Sequence, residues 1–566
     1  MRTHIITLLL LAVTLFSACK KTPTHADHIP ATATAVLGIN TAALGKKVAW
    51  NALWGSKLLK NMQQKMNDSS MIKELENSGI ETMTTYYAYV QADSRYMGGN
   101  KVTAVIPLDD AGKWEAFLKK QFPEVTVKQQ KDRKEALLGS DVYAGWTNNL
   151  LIVMNTVYQQ QENNMNLSAE DMEALDSMGM DTPPAPRKPD EATMAMEIEK
   201  VLGTTKENAI TGNKNFVKLQ EEGHDISLWV NYEALMAHNM QQAGSMAGGL
   251  AAAGSLWKDA AMAMGIDFET GKIAGKMRYY TSEELRSVYK EMGKGNTDKE
   301  TIDRLPGNNL NMLAAAHIST KGIRQMLDKL GLIGFVNIPL AQKGLTIEDV
   351  ADAISGDMAV SVTNFKNMRQ TIPADSLYPG QQPITTSTSD ADYVFALKVG
   401  KQEKFDKLLQ VARQDSMLAP VGNGRYVVPM LMGTKLAIII DKGYVVLSNK
   451  DELAAGYLAG SYKAQKKSGN AGKVYDHASG LYFDVKSMMA GVDTTGARPA
   501  DAAMMHNART LVSDVLFTGG DFKNDAFEYD LDINFINKEE NSLLLLLDFA
   551  NKMNENETAN APVALK

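Results

Sequence analysis

A chain of 566 residues with 44% hydrophobic content has room for several domains and can bury a core without covalent help. Its formal net charge of −7, with both signs interspersed, gives no electrostatic case for nucleic-acid binding, which wants a basic patch. The single cysteine, Cys19, excludes internal disulfides.

The chain opens with Arg2 and an apolar run from Ile5 to Phe16, which reads as an export signal over residues 1–18. The run is shorter than the roughly 20 apolar residues of a permanent span. Small residues Ser17 and Ala18 precede Cys19, and Phe-Ser-Ala-Cys resembles the bacterial lipoprotein signal, with Cys19 accepting the lipid after cleavage. A thiol used this way leaves the mature chain no thiolate for metal or nucleophilic chemistry. Residues 19–28 are polar, carry Pro23, and are expected to form a tether. His25, Asp27 and His28 could hold a metal only weakly in such a tether, so no metal is assigned to them.

From residue 29 the chain reads as written twice. "IPATATAVLGINTAAL" (29–44) matches "LPGNNLNMLAAAHISTKGI" (305–323), each a strand entering a helix at Thr41 or Thr320. The hairpin of 86–108, turning at Gly98-Gly99-Asn100, matches 358–367 with 392–400. In the second copy a Pro/Ser/Thr-rich loop of about 25 residues is expected to replace the turn. Trp114, Phe117 and Leu118 match Phe405, Leu408 and Leu409 as one apolar helix face. "DVYAGWTNNLLIVMN" parallels "TKLAIIIDKGYVVLSN", a second hairpin in each copy.

An insert at 159–200 distinguishes the first copy. It carries a capping-box-like Ser168–Asp171 and a stiff "DTPPAPRKP", and is expected to be a surface excursion or a partner-binding arm. "ISLWVNYEALM" (226–236) then matches "SGLYFDVKSMM" (479–489), and 266–282 matches 521–537. Phe527, Tyr529, Leu531, Ile533 and Phe535 alternate with Glu528, Asp530, Asp532 and Asn534, predicting a strand with one buried face and acids outward as edge protection.

The expected architecture is therefore α+β: two tandem, diverged copies of a mainly antiparallel sheet with helices packed on it. The copies span 29–292 and 305–548, with a polar linker at 293–304 and a flexible tail at 549–566. No second stretch qualifies as a transmembrane helix: Leu543–Leu547 is too short, and 240–257 is too rich in Gly, Gln and Ser.

Chemistry is sparse. Eight histidines are scattered, and H-E-x-x-H, G-x-S-x-G and phosphate-loop patterns are absent. "SMIK" (70–73) and "KSG" (467–469) echo penicillin-interacting enzymes, but the middle element is missing and Ser70 reads as an N-cap. No catalytic, cofactor-binding or metal residue is assigned. The 32 methionines, clustered in "MAMEIEK", "AMAMG" and "KSMM", suit core filling or an adaptable apolar groove.

The lipoprotein signal, the opening "HIPATATAVLGINTAAL" and the whole-chain repeat resemble a group of large exported lipoproteins of Bacteroidota classed as a domain of unknown function. That resemblance implies residence in the cell envelope and nothing sharper; the outer membrane is expected because Lys20 is not the aspartate that retains enterobacterial lipoproteins in the inner membrane. Lysines rather than acids after Cys19 imply a protein facing the periplasm, with surface exposure the other option. The expected role is a lipid-anchored binding or assembly module. Its partners would be the membrane, through Cys19, and an envelope protein or apolar ligand. The alternatives are an envelope hydrolase or glycan-handling enzyme, or a carrier of an apolar ligand.

Overall fold

The computed structural model describes residues 22–48, 74, 77–93, 99–139, 142–158, 190–243, 256–372, 384–429, 436–465, 467, 469–494 and 499–559. Among the described residues, two compact units divide the chain: the second takes 256–260 and everything from Asp267 onward, so the last boundary falls between Ile266 and Asp267, inside a strand.

The first unit contains β1 (Ala35–Asn40), β2 (Thr85–Asp93), β3 (Gly99–Pro107), β4 (Lys128–Gln129), β5 (Lys134–Leu137), β6 (Val142–Trp146), β7 (Leu150–Tyr158), β8 (Ile226–Asn231) and the start of β9 (Ala261–Glu269). Antiparallel pairing gives the order β4-β5-β6-β7-β3-β2-β1-β8-β9. The helices are α1 (Thr41–Lys47), α2 (Ala111–Gln121), α3 (Glu191–Leu202), α4 (Lys214–Glu222) and α5 (Tyr232–Ala243). Asn40, one residue before Thr41, caps α1 by accepting from the Ala43 amide. Thr41 instead points its hydroxyl at the Thr82 and Thr84 carbonyls, 2.7 Å from each.

Helix α2 buries Trp114 and Leu118 against Trp146 and Leu151, with Phe117 packed beside them. Each such side chain contributes about 1.5–3 kcal/mol of burial free energy. On α4, Phe216 meets Trp229 edge-on at 5.9 Å.

The second unit contains β10 (Lys272–Tyr280), β11 (Leu310–His317), β12 (Ile354–Ile372), β13 (Ile384–Val399), β14 (Ala419–Gly422), β15 (Arg425–Val427), β16 (Ala437–Asp441), β17 (Tyr444–Ser448), β18 (Ser479–Phe483), β19 (Val512–Lys523) and β20 (Ala526–Phe535). Its order is β14-β15-β16-β17-β13-β12-β11-β18-β19-β20-β10, antiparallel throughout. The sequence of pairings from β4 to β9 thus recurs, strand for strand, from β14 to β19.

Its helices are α6 (Arg286–Met292), α7 (Lys299–Asp303), α8 (Thr320–Lys329), α9 (Ile333–Gln342), α10 (Ile347–Ala353), α11 (Gln402–Gln414), α12 (Asp451–Ala459), α13 (Val485–Ala490), α14 (Pro499–Leu511) and α15 (Ser542–Ala559). The main core gathers Leu313, Val394, Val446, Tyr457, Val474 and Leu516. A smaller one joins Phe405 of α11 to Ala353 and Val399, with Leu408 and Leu409 packed on it.

Several expectations are corrected. The tether is short, because Thr24–His28 is a 3-10 turn with Ala26 fully buried, followed by fully buried Ile29. Residues 293–304 are no linker: α7 lies there, and Thr301 and Ile302 belong to the buried interior of the second unit. The boundary inside β9 replaces the one expected after 292. Residues 549–559 continue α15 rather than fraying. Both flanks of the expected 25-residue loop are ribbon, since β12 runs to Ile372 and β13 starts at Ile384, while 373–383 lie outside the described residues. From the insert, α3 buries Met194, Ile198 and Val201, so its end is core. The alternating strand β20 lies between β19 and β10 and is not an edge.

The signal 1–18, Cys19, Ser70–Lys73 and Ser168–Asp171 lie outside the described residues, as do Ser468 and most of 240–257.

Candidate functional site

An open cavity of about 720 Å³ lies in the second unit, within the range of small-ligand sites. It forms where three local irregularities meet. Asn309, before β11, and Asn364, inside β12, both adopt positive φ, at 52° and 55°. Asparagine tolerates this conformation better than other side-chain-bearing residues. At Asn364 the β12–β13 register shifts between Thr363 and Lys366, a bulge that turns the strand outward. Third, α13 begins at the end of β18, where Asp484 caps it by accepting from the Ser487 amide at 2.8 Å.

Backbone bonds lock these pieces together. The Asn364 amide donates to the Asn309 carbonyl, and the Asp484 amide to the Asn311 carbonyl. Asn367 and the segment after α13 exchange bonds: Asn367 N donates to Gly491 O at 2.7 Å, and Asp493 N to Asn367 O at 2.9 Å.

The wall that results is lined by Asn309, Asn311, Asn364 and Asn367, with Ser487, Asp484, Asp493, Lys366 and Phe365; Asn311 is only 4% exposed, so the exposed amides are those of Asn309 and Asn364. Asn309 Nδ2 donates to Asn364 Oδ1 at 2.9 Å, and Asn364 Nδ2 to Asp392 Oδ2 at 2.9 Å. Asn311 Nδ2 donates to Ser487 Oγ, while its Oδ1 accepts from the Phe365 amide. Burial works against ionisation of Asp392, but the Lys450 ammonium at 2.6 Å and the Asn364 amide outweigh it, holding this carboxyl below its usual range. A primary amide carries two N–H donors and two acceptor lone pairs. The bonds named for exposed Asn309 and Asn364 use part of that capacity and fix the rest in place. The wall can therefore donate to and accept from hydroxyl groups, beside one aromatic ring.

A second polar cluster lies at the other end of β11. His317 Nδ1 is 2.8 Å from Asp357 Oδ1, and Ser355 Oγ donates to Asp357 Oδ2 at 3.0 Å. The Asp298 amide also donates to Asp357, so the carboxylate ties α7, β11 and β12 together. The serine hydroxyl bonds to the aspartate and not to the imidazole, which is not the order that activates a serine.

The residues singled out in the sequence do not converge. His25 Nε2 donates to the Thr85 carbonyl at 2.6 Å, His28 Nδ1 bonds the Val201 carbonyl, and Asp27 accepts from Thr211. Each is spent on packing the turn. Among the described residues no group of three or more His, Cys, Asp or Glu side chains could hold a metal ion.

Lys467 donates to the Asp303 carbonyl at 2.9 Å, and burial pushes its ammonium down to about 8 against the attraction of Asp303. It links loop to α7. Met194 is buried whereas Met196 on the same helix is exposed. The acids of β20 are neutralised by β10: Lys272 reaches Asp532 at 3.0 Å, Arg278 reaches Glu528 at 3.6 Å, and Lys276 stands opposite Asp530.

The asparagine wall escaped the sequence reading because its members come from three separated stretches. The one local signal was asparagine at two turn positions, where it also serves as a plain turn former.

No family model and no curated protein matches the chain. Among solved structures, crystal forms III and IV of TP0453 align at 10% identity and a TM-score of 0.22, covering 46% of this chain and 81% of that one. Crystal form I aligns at 9% identity with the same TM-score. A likeness this slight transfers neither fold nor activity.

Proposed function

We propose that the chain is a lipid-anchored protein of a bacterial envelope, tethered through Cys19 at the outer membrane and facing the periplasm. In this reading it acts as a binding module, and the asparagine-lined cavity of the second unit takes a polyhydroxylated ligand of the glycan class. The observation that carries the reading is the wall itself: neutral amides held at fixed positions, offering both donors and acceptors, next to Phe365. Sugars present closely spaced hydroxyls that donate and accept together, and the exposed Asn309 and Asn364 amides answer both, with Lys366, Asp484 and Asp493 also lining the cavity. A purely apolar ligand would leave the same amides unpaired, at about 1–3 kcal/mol each.

The two tandem sets of strands are, in the same proposal, diverged copies of one ancestral unit. Their common pairing order supports this, and element-by-element superposition of 29–290 on 305–537 tests it.

The binding reading is tested by calorimetry with soluble cell-wall and capsular oligosaccharides. Asn309→Gly keeps the positive φ of that turn and the Asn364–Asp392 bond but removes one exposed amide. It is expected to weaken binding by about tenfold, the effect of one well-placed hydrogen bond, with the fold retained. Equal affinity in both proteins, or no binding by either, sinks the glycan reading.

A further inference from the structure

Helix α9 carries Phe335, the most exposed large hydrophobic side chain among the described residues. Its sequence, IGFVNIPLAQ, has no buried residue, and Phe335 and Ile338 are 74% and 61% exposed. Leu332, just before it, is also exposed. At 100° per residue, Leu332, Phe335 and Ile338 fall within an arc of about 120°. The helix is held by a different side: Asn337 Oδ1 accepts from the Ile347 amide at 3.1 Å, and Val336 and Leu340 are half-buried. The stripe thus points away from the residues that fix the helix. Ile323 and Leu330 of the adjoining segment are exposed as well.

Along the segment that carries this stripe, cations outnumber acids. Between residues 320 and 343 stand Lys321, Arg324, Lys329 and Lys343 against the single acid Asp328, in a chain whose net charge is −7. Lys321 pairs with Glu291, whose side chain is 15% exposed, while Arg324 and Lys343 rest in more exposed pairs with Glu348 and Asp415. Exposed pairs of this kind are weak and exchange readily for another anion.

We propose that α9 and the end of α8 form a membrane-contact surface. Phe335, Ile338 and Leu332 enter the headgroup–acyl boundary, and the flanking cations meet anionic lipid headgroups. An apolar stripe rimmed by Lys and Arg on a short surface helix is the chemistry of interfacial binding. A second copy of the chain is a poorer occupant. A ten-residue helix is only about 15 Å long, and three protruding side chains cannot supply the roughly 800 Å² per partner of a stable dimer. The proposal does not depend on Cys19, although an acyl anchor would raise the effective concentration of this surface at the bilayer.

The test uses the chain carrying Cys19→Ser, which has no acyl acceptor, in flotation with vesicles of phosphatidylethanolamine and phosphatidylglycerol. The unlipidated protein is expected to float with these vesicles and far less with phosphatidylcholine alone. Phe335→Asp with Ile338→Asp is expected to lower the bound fraction about tenfold, and Lys329→Glu a few-fold, by lost insertion and lost charge respectively. All three positions are exposed, so thermal melts of the variants should match the parent. In Phe335→Trp, emission should shift to the blue on adding the anionic vesicles. Failure of the parent to float, or equal flotation of the double variant, overturns the proposal. So does sedimentation showing a dimer that the double variant splits, which would assign the stripe to a second copy. Because the acyl acceptor is absent throughout, these outcomes leave the Cys19 reading to be judged separately.

Discussion

His25 and Lys101 show how single polar residues are bound into this fold. Burial pushes the His25 imidazole below its ordinary value of 6.5; the bond to Thr85 opposes this, and nearby His28 adds to it. The unfolded chain then binds the proton more readily than the native one. Stability from neutral His25 is fully present above about pH 6.5 and is lost as pH falls from there toward the lower native value. His25→Gln, which removes the titration, is expected to flatten the fall in melting temperature between about pH 7.5 and about pH 5. Parallel curves for the two proteins would show that the ring is not the group responsible. Lys101 poses a different test. It reaches Glu197 at 2.5 Å with side chains 11% and 7% exposed, and Lys200 supports the same carboxylate at 2.8 Å. Lys101→Met strands a nearly buried acid and is expected to cost about 2–3 kcal/mol in urea unfolding, Lys200 softening the loss. Adding Glu197→Met should recover most of it, since an apolar pair of similar size fills the space. A double variant as unstable as the single would mean that packing, not charge, is at stake.

At the scale of elements, the strongest sequence signals were the internal repeat and periodicity, and they located most of β1 to β3, β6 to β8, β10 to β13, β16 to β18 and β20, but only the ends of β9 and β19. The apolar face of α2 was legible for the same reason: Trp114 and Leu118 recur at helical spacing and are buried. Helix α9 was not legible, because Pro339 lies inside it and its apolar residues surround it without a polar face. The 3-10 turn at Thr24–His28 was hidden by composition, since five residues containing two His and one Asp read as solvated; only Ala26 and Ile29, small or flanking, carry the burial. The acidic alternation of β20 was read correctly as a strand and wrongly as an edge, because sequence does not say that β10 supplies the matching cations. That strand also depends on its neighbour's backbone. Gly519 of β19 has φ +145°, and a Cβ there would come within 2.2 Å of the Glu528 carbonyl oxygen. Tyr529 stands opposite Gly519 and stacks on Phe517 at 5.2 Å, its ring covering the glycine. Gly519→Ala is therefore expected to cost about 2–4 kcal/mol, strain plus steric displacement of β20. Gly139 has a similar φ of +138° with nothing within 4 Å, so Gly139→Ala should cost only about 1 kcal/mol. Equal losses at both sites would remove the close approach as the cause.

For the whole molecule, the lipid reading of Cys19 gains a geometric consequence from the packed amino-terminal turn. Described structure begins at Thr22, three residues after Cys19, so even a fully extended link spans only about 10 Å. Acyl chains at Cys19 would then hold the start of the first unit close against the bilayer, instead of on the longer leash that residues 19–28 suggested. Two or more chains make such anchoring durable, as each buried methylene adds about 0.8 kcal/mol. In cells of the source organism, Cys19→Ala behind a leader that is cleaved without lipidation is expected to shift the protein from the membrane fraction to the soluble one. The intact mass of the parent should correspond to a chain starting at Cys19 plus its acyl groups. A parent with a free sulfhydryl or an uncleaved leader would end the anchoring reading. A Cys19→Ala protein that still fractionates with membranes, and releases only when Phe335 and Ile338 are also replaced, would shift the attachment to α9. The two substitutions made singly and together thus separate a covalent anchor from a contact surface in one fractionation series.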